Sequence, residues 1–196
     1  MNTESLFKPF QYKNLHLKNR IVMAPMTRAQ SDNGVPTQQI ADYYARRAAS
    51  DVGLILSEGT VINRPASKNI QNIPDFYGTE ALSGWKNVID SVHQSGGKMG
   101  PQIWHVGDTR SSADYPLVEM EKASTMTLED IQDTIAQFAA SAKSAKDLGF
   151  DVVEIHGAHG YLIDQFFWEV TNTRTDEYGG KTLKERSKFA VDVVKA

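Results

Sequence analysis

The sequence has no cysteine among its 196 residues. This absence excludes disulfide bonds within the chain, and it excludes zinc or iron–sulfur sites held by cysteine thiolates. The sequence also lacks any apolar run near the ~20 residues that a membrane-spanning helix needs. Its N-terminus lacks the basic-then-apolar pattern of a signal peptide. We therefore predict a cytoplasmic protein that does not enter a membrane.

An excess of charge of one sign is absent as well. The 21 lysines and arginines are nearly balanced by 24 aspartates and glutamates, which gives a net charge of −3. Proteins that bind nucleic acids usually carry a basic surface, so we predict no nucleic-acid partner. The length is typical of one domain with a substantial core, and we predict a single domain over residues 1–196.

Short apolar strands alternate with amphipathic helices along the chain. Residues 6–17 predict a hairpin, with its turn at Lys13-Asn14. Buried strands are predicted over residues 20–24, 52–56, 99–104 and 152–155, and helices over residues 37–48, 82–92, 127–148 and from 182 onward. Residues 107–124 are predicted to be loop. Alternating strands and helices indicate a parallel sheet covered by helices.

Two imidazoles and a phenol lie close together in the stretch from Val152 to Tyr161. The predicted strand ends on His156, a turn of small residues carries His159, and an apolar helical run begins near Tyr161. Ligands of parallel α/β folds bind at the carboxyl ends of the strands. The sequence therefore predicts a functional site at this edge of the sheet.

The residues alone leave other interpretations of His156 and His159 open. Imidazoles are common metal ligands, yet no carboxylate or thiolate at suitable spacing completes a set of ligands around the turn, and we predict no metal. A purely structural histidine pair is the other alternative. In the same way, Gly59 can be a simple turn residue and Trp104 an ordinary packing aromatic.

Two segments resemble the old yellow enzyme family of flavin-dependent oxidoreductases. The first is residues 152–161, and the second is Asn172-Thr173-Arg174-Thr175-Asp176-Glu177-Tyr178-Gly179-Gly180. The resemblance implies an eight-stranded TIM (β/α)8 barrel with an N-terminal hairpin lid. Residues 1–19 would form that hairpin and residues 20–196 the first four β/α units. In the second segment, Arg174, Asp176 and Tyr178 are expected to fix a loop.

Half a barrel has two unpaired sheet edges and an exposed apolar inner face. A complete barrel typically needs ~250 residues, which is more than this chain contains. We therefore expect the chain to associate with a copy of itself or with a complementary C-terminal half.

The resemblance also implies site residues, each at a position that matches the family's pattern. His156 and His159 would bind the oxygen of an activated carbonyl, Tyr161 would donate a proton, and Trp104 would line the substrate pocket. Residues implied to contact the flavin are Ala24, Pro25, Met26, Thr27, Gly59, Gln102 and His156. Thr27 would lie near N5 and O4 of the flavin, and Gln102 would bond its pyrimidine edge.

The implied activity is the reduction of α,β-unsaturated carbonyl compounds by FMN, with NADH or NADPH as the reductant. The family's phosphate-binding residues come from later strands, so the chain is expected to supply the ring site without the phosphate site. An alternative is a non-catalytic half-barrel that self-associates without flavin. A third possibility is a metal-dependent hydrolase on the same barrel.

Overall fold

The computed structural model of the chain describes residues 3–109 and 118–196. The strands are β1 (Phe10–Tyr12), β2 (Leu15–Leu17), β3 (Val22–Met23), β4 (Leu54–Val61), β5 (Met99–Trp104) and β6 (Glu154–Ile155). The α-helices are α1 (Gln38–Ala49), α2 (Thr79–Gln94), α3 (Leu128–Leu148), α4 (Leu162–Phe167), α5 (Leu183–Arg186) and α6 (Lys188–Lys195). Short 3-10 helices cover Glu4–Phe7 and Asp32–Gly34.

The strands form an antiparallel hairpin and a parallel sheet. Strands β1 and β2 pair as the predicted hairpin. Strands β3 to β6 lie side by side in chain order, and each neighbouring pair is parallel. Consecutive parallel strands joined by helices are the repeating unit of a β/α barrel. The sheet therefore has the topology expected for the first half of such a barrel.

Local sequence signals set the ends of the longest helix. Thr127 accepts a hydrogen bond from the backbone of Asp130, and the Asp130 carboxylate accepts one from the backbone of Thr127, which completes a capping box. Gly149 ends the helix in the left-handed conformation, with φ of 92°. Thr182 and Glu185 form a second capping box before α5.

The core lies between the sheet and the helices. Trp85 of α2 is fully buried, and its ring lies 5.6 Å from that of Phe76 and 6.2 Å from that of Phe150. Tyr44 of α1 is also buried and contacts the backbone N–H of Glu58 through its hydroxyl, at 2.8 Å. A smaller cluster surrounds Trp104 at the carboxyl end of the sheet.

Three strand predictions need correction. The first and last parallel strands are shorter than predicted and only partly buried; Val22 is 48% exposed, and both residues of β6 are of intermediate exposure. The physical reason is that these are the outer strands of the described sheet, so each has a neighbour on one side only among the strands that the structure describes. Strand β4 continues to Val61, with irregular pairing between Leu56 and Gly59.

Two further predictions concern the loop over residues 107–124 and membrane-spanning helices. The predicted loop over residues 107–124 includes residues 110–117, which lie outside the described residues. Within residues 3–109 and 118–196, no helix is both long enough and apolar enough to cross a membrane.

Candidate active site

His156 follows the last residue of β6, and its environment determines its protonation state. Its backbone N–H donates to the Ile103 carbonyl at 3.0 Å, which holds the residue beside β5. Its ring Nδ1 accepts the backbone N–H of Ala158 at 3.3 Å. Burial lowers the pKa of His156, and the neighbouring His159 lowers it further. At neutral pH the ring is therefore uncharged with its proton on Nε2, and this N–H is a hydrogen-bond donor without a partner among the described residues.

His159 is brought to the same place by an unusual turn. His159 and Gly160 both have positive φ, of 61° and 76°. The Asp164 carboxylate accepts the backbone N–H of Gly160 at 2.8 Å and stabilises the turn. The rings of His156 and His159 are consequently 5.2 Å apart and almost perpendicular, at 79°.

Tyr161 and Trp104 complete a cluster of four rings. The Tyr161 ring lies 5.0 Å from that of His156 and 4.7 Å from that of Trp104, while Trp104 is stacked on His156 at 6.0 Å. Burial raises the pKa of Tyr161, so this phenol keeps its proton at neutral pH. The cluster therefore combines neutral N–H groups with a proton-bearing hydroxyl.

Gly59 is required by the packing of Trp104. A Cβ atom at position 59 would overlap the Trp104 ring, so a larger residue would displace the indole. The ring that the backbone of Gly59 approaches in the structure is that of Trp104. Trp104 borders the site cavity but is only 3% exposed, and its indole N–H is buried without a partner among the described residues.

Gln102 and Glu154 face each other on neighbouring strands. They are paired in the parallel register of β5 and β6, and the Gln102 Nε2 donates to Glu154 Oε1 at 2.7 Å. No role was predicted for Glu154 from the sequence. The available signal was the position of this carboxylate two residues before His156. Alternate residues of a strand share a face, so the two side chains lie on the same side of the sheet.

The segment after β3 is held by a second carboxylate that the sequence did not single out. Glu58 is fully buried, and its Oε2 accepts the backbone N–H groups of Arg28 at 2.8 Å and Ala29 at 3.0 Å. Burial raises the pKa of Glu58, although the two N–H groups oppose this. A charged residue two positions after the apolar run Leu54–Leu56 was the available signal. Glu58 thus fixes the chain directly after Thr27.

These groups border one cavity of about 480 Å³. Its lining residues are Ala24, Pro25, Thr27, Gly59, Gln102, Trp104, Glu154, Ile155, His156, Gly157, Ala158, His159 and Tyr161. All predicted site residues except Met26 are among them; Met26 is 47% exposed. A larger cavity of about 730 Å³, bordered by Asp108 and Trp168, contains none of them. Within the described part of the chain, no three His, Asp or Glu residues are grouped to hold a metal ion.

A sequence model of the NADH:flavin oxidoreductase / NADH oxidase family matches residues 5–196. The chain belongs to this family. The predicted resemblance to old yellow enzymes is thereby confirmed. Proteins of the family bind FMN and use NADH or NADPH, in agreement with the predicted cofactors.

Several relatives show the same relationship. The rice protein 12-oxophytodienoate reductase 7 (Oryza sativa subsp. japonica) is 38% identical over 97% of the chain. Morphinone reductase superposes on 97% of the chain with a TM-score of 0.90 and 32% identity. The old yellow enzyme homologue from Zymomonas mobilis gives a TM-score of 0.86, also at 32% identity and over 97% of the chain.

The chain spans about half the length of these family members. It covers 54% of the rice protein, 57% of morphinone reductase and 59% of the Zymomonas mobilis protein. Together with the four consecutive parallel strands, these matches confirm the predicted half of a TIM barrel.

A polar cluster fastens the loop after β4. Arg64 pairs with Glu121, with Asp130 at 3.0 Å and with Asp133 at 2.6 Å, so it joins the loop after β4 to α3 and to the segment before it. The hydrogen bond from Arg64 lowers the pKa of Asp133. These contacts hold the loop after β4 against α3.

The second family segment has the loop-fixing contacts expected of it. Arg174 donates to the carbonyl of Ala123 at 2.9 Å and to that of Met126 at 2.6 Å. It also pairs with Asp176, and the hydrogen bond from Arg174 lowers the pKa of that carboxyl. The Tyr178 hydroxyl accepts from Gln132 at 2.6 Å.

His105 is a buried neutral histidine directly after Trp104. Its Nδ1 accepts the backbone N–H of Gly107 at 2.9 Å, and its Nε2 lies 2.5 Å from a carboxylate oxygen of Glu121. Burial, assisted by the positive charge of Arg64, lowers its pKa to about 3. The ring therefore donates its Nε2–H to Glu121 without carrying a charge.

This histidine makes a pH-dependent contribution to stability. The unfolded-state pKa is about 6.5, so between pH 6.5 and 3 the unfolded chain binds a proton that the folded chain does not. The free energy of unfolding should therefore fall as the pH drops through this window, by about 1.4 kcal/mol per pH unit. Urea unfolding at pH 7 and pH 5 should show a loss of about 2 kcal/mol from this group.

His105→Gln should remove most of this pH dependence, because glutamine does not titrate and can still donate and accept hydrogen bonds. His16→Gln, at an exposed position on β2, is the matched control and should keep the wild-type slope. An unchanged slope in His105→Gln would show that the buried imidazole is not the titrating group.

Proposed function

We propose that the chain provides the ring-binding and carbonyl-binding parts of an FMN-dependent oxidoreductase that reduces the C=C bond of α,β-unsaturated carbonyl compounds. The observation that carries this proposal is the meeting of His156, His159 and Tyr161 at one end of a cavity that Gln102 and Thr27 also border. Family membership supports the flavin and the nicotinamide reductant.

The lining of the cavity suits the isoalloxazine ring of FMN. A flavin requires apolar contacts on its faces and hydrogen-bonding groups along its polar edge. Ala24 and Pro25 supply apolar atoms, while the Thr27 hydroxyl and the Gln102 amide supply the polar groups. Met26 lies between Pro25 and Thr27 in the chain. Gly59 leaves the space that the Trp104 ring occupies at the border of the cavity. FMN held by these residues would supply hydride transfer from NADH or NADPH to the β-carbon of the substrate.

The histidine pair binds the substrate's carbonyl oxygen in this proposal. The free Nε2–H of His156 is a neutral donor, and His159 faces it at 5.2 Å between ring centres. Donors directed at an oxygen stabilise the negative charge that develops on it as the C=C bond is reduced. Tyr161, whose pKa is raised by burial, keeps its proton until the α-carbon has gained enough negative charge to take it.

The proposal also includes a partner chain that covers the edge strands of the sheet. β3 and β6 each have one neighbour among the described strands, and Val22 is exposed on the first of them. We infer that a complementary C-terminal half or a second copy of the chain covers these edges. Sedimentation analysis should therefore show an assembly larger than the 21.8 kDa monomer, formed by copies of the chain or, when a complementary half is supplied, by the two halves together.

Flavin uptake tests the proposed function. We expect the purified protein to bind added FMN saturably, observed as quenching of flavin fluorescence, and Gln102→Ala to weaken this binding about tenfold, as expected for a hydrogen bond worth ~1.4 kcal/mol. Gln94→Ala, at an exposed position near the end of α2, is the control and should bind like the wild type. A protein that takes up no FMN, alone or with a complementary half, would refute the proposal and favour the non-catalytic alternative.

A further inference from the structure

Among the described residues, Glu154 forms a hydrogen bond with one side chain that lines the cavity, that of Gln102. Its Oε1 accepts the Nε2–H of Gln102 at 2.7 Å, and both residues border the proposed flavin site. Within residues 3–109 and 118–196 no lysine, arginine or histidine forms an ion pair with it. The Glu154 carboxylate is therefore hydrogen-bonded to the Gln102 amide and has no cationic partner among the described residues.

This contact decides which end of the Gln102 amide faces the cavity. A carboxylate only accepts hydrogen bonds, whereas an amide has a donating NH₂ group and an accepting oxygen. Gln102 must therefore turn its NH₂ group toward Glu154, and its carbonyl oxygen is left for a ligand. Without the carboxylate, either end of the amide could serve the ligand equally well.

We propose that Glu154 is a positioning residue that makes the site accept a hydrogen bond from the imide N–H of the flavin's pyrimidine ring. It acts through Gln102, whose carbonyl oxygen it presents to that N–H. This inference rests on the proposed FMN site. Glu154 has this role without touching the substrate. The inference predicts that the site binds the flavin with its imide N–H protonated more tightly than the flavin with its imide ionised.

The test is an alkaline titration of protein-bound FMN followed by absorbance. In Glu154→Gln, residue 154 can donate as well as accept, so Gln102 is free to turn its NH₂ group toward the flavin and the negative charge is lost. We expect the apparent pKa of the bound imide to fall by ~1 unit, a tenfold change in its ionisation constant. Glu154→Asp keeps the charge and should restore most of the wild-type value. Glu169→Gln, at an exposed position, is the matched control and should leave the pKa unchanged.

The same titration in a Gln102→Ala background separates positioning from a direct effect of charge. If Glu154 acts through Gln102, adding Glu154→Gln to this background should produce little further change. An equal shift in both backgrounds, or no shift in the single variant, would overturn the inference while leaving the flavin site intact. A wild-type protein that binds no FMN would instead refute the proposed function, and this inference with it.

Discussion

Replacing His156 and His159 together with alanine should lower the rate of enone reduction about 10²- to 10³-fold, the usual cost of removing donors from a developing oxyanion. The physical reason is the position of the neutral His156 donor beside the second imidazole. Reduction of the flavin by NADPH does not create negative charge on the substrate's oxygen, so it should change much less. Stopped-flow measurement of the two half-reactions in FMN-loaded protein, with 2-cyclohexenone as the oxidant, checks both expectations.

Binding of phenols gives a second readout of the same pair. A phenol presents an oxygen to the two imidazoles without being reduced, so the double variant should bind it more weakly. His16→Ala, on the exposed hairpin strand β2, serves as the control and should behave like the wild type in every assay. Unchanged enone turnover in the double variant would show that the oxyanion role assigned to the histidines is wrong.

Trp85→Ala should cost about 3–5 kcal/mol of unfolding free energy, as is typical for truncating a large buried aromatic residue. Trp85 is fully buried, contacts the rings of Phe76 and Phe150, and donates its indole N–H to the Asp75 carbonyl at 3.0 Å. The variant loses the buried apolar surface and leaves that carbonyl without its donor. Since natural domains are stable by only ~5–15 kcal/mol, chemical denaturation should reveal a strongly shifted midpoint.

Two further variants separate the contributions at this position. Trp85→Phe keeps an aromatic ring but removes the N–H, so it should lose less than the alanine variant and more than an ordinary surface substitution. Trp168→Ala removes the same side chain from a position that is 61% exposed and should have little effect. Equal losses in Trp85→Ala and Trp168→Ala would contradict the assignment of Trp85 to the core.

The features that the sequence predicted correctly depend on residues close together in the chain. The helix predicted over residues 127–148 is α3, whose capping box of Thr127 and Asp130 spans one helical turn. The site motif from His156 to Tyr161 occupies six consecutive residues, so the turn itself brings its rings together. The order of strands and helices followed from their local periodicity.

The predictions that failed concern burial at the sheet edges. The apolar segment around Val22 has the same character as a central strand, and its pattern predicts burial. Whether it is buried depends on how many neighbours the strand has, and β3 has only one among the described strands. The shortening of β6 to Glu154–Ile155 has the same cause.

The sequence by itself determined the alternation of strands and helices, the family, and the histidine–tyrosine turn. Only the tertiary structure decided that Glu154 meets Gln102 across 52 residues, that Glu58 binds the backbone of Arg28 across 30, and that Gly59 lies against Trp104. The physical reason is that these contacts join segments far apart in the chain, and strand register fixes the first of them. A shift of one residue in the pairing of β5 and β6 would turn Gln102 or Glu154 to the opposite face, and no local pattern specifies that register.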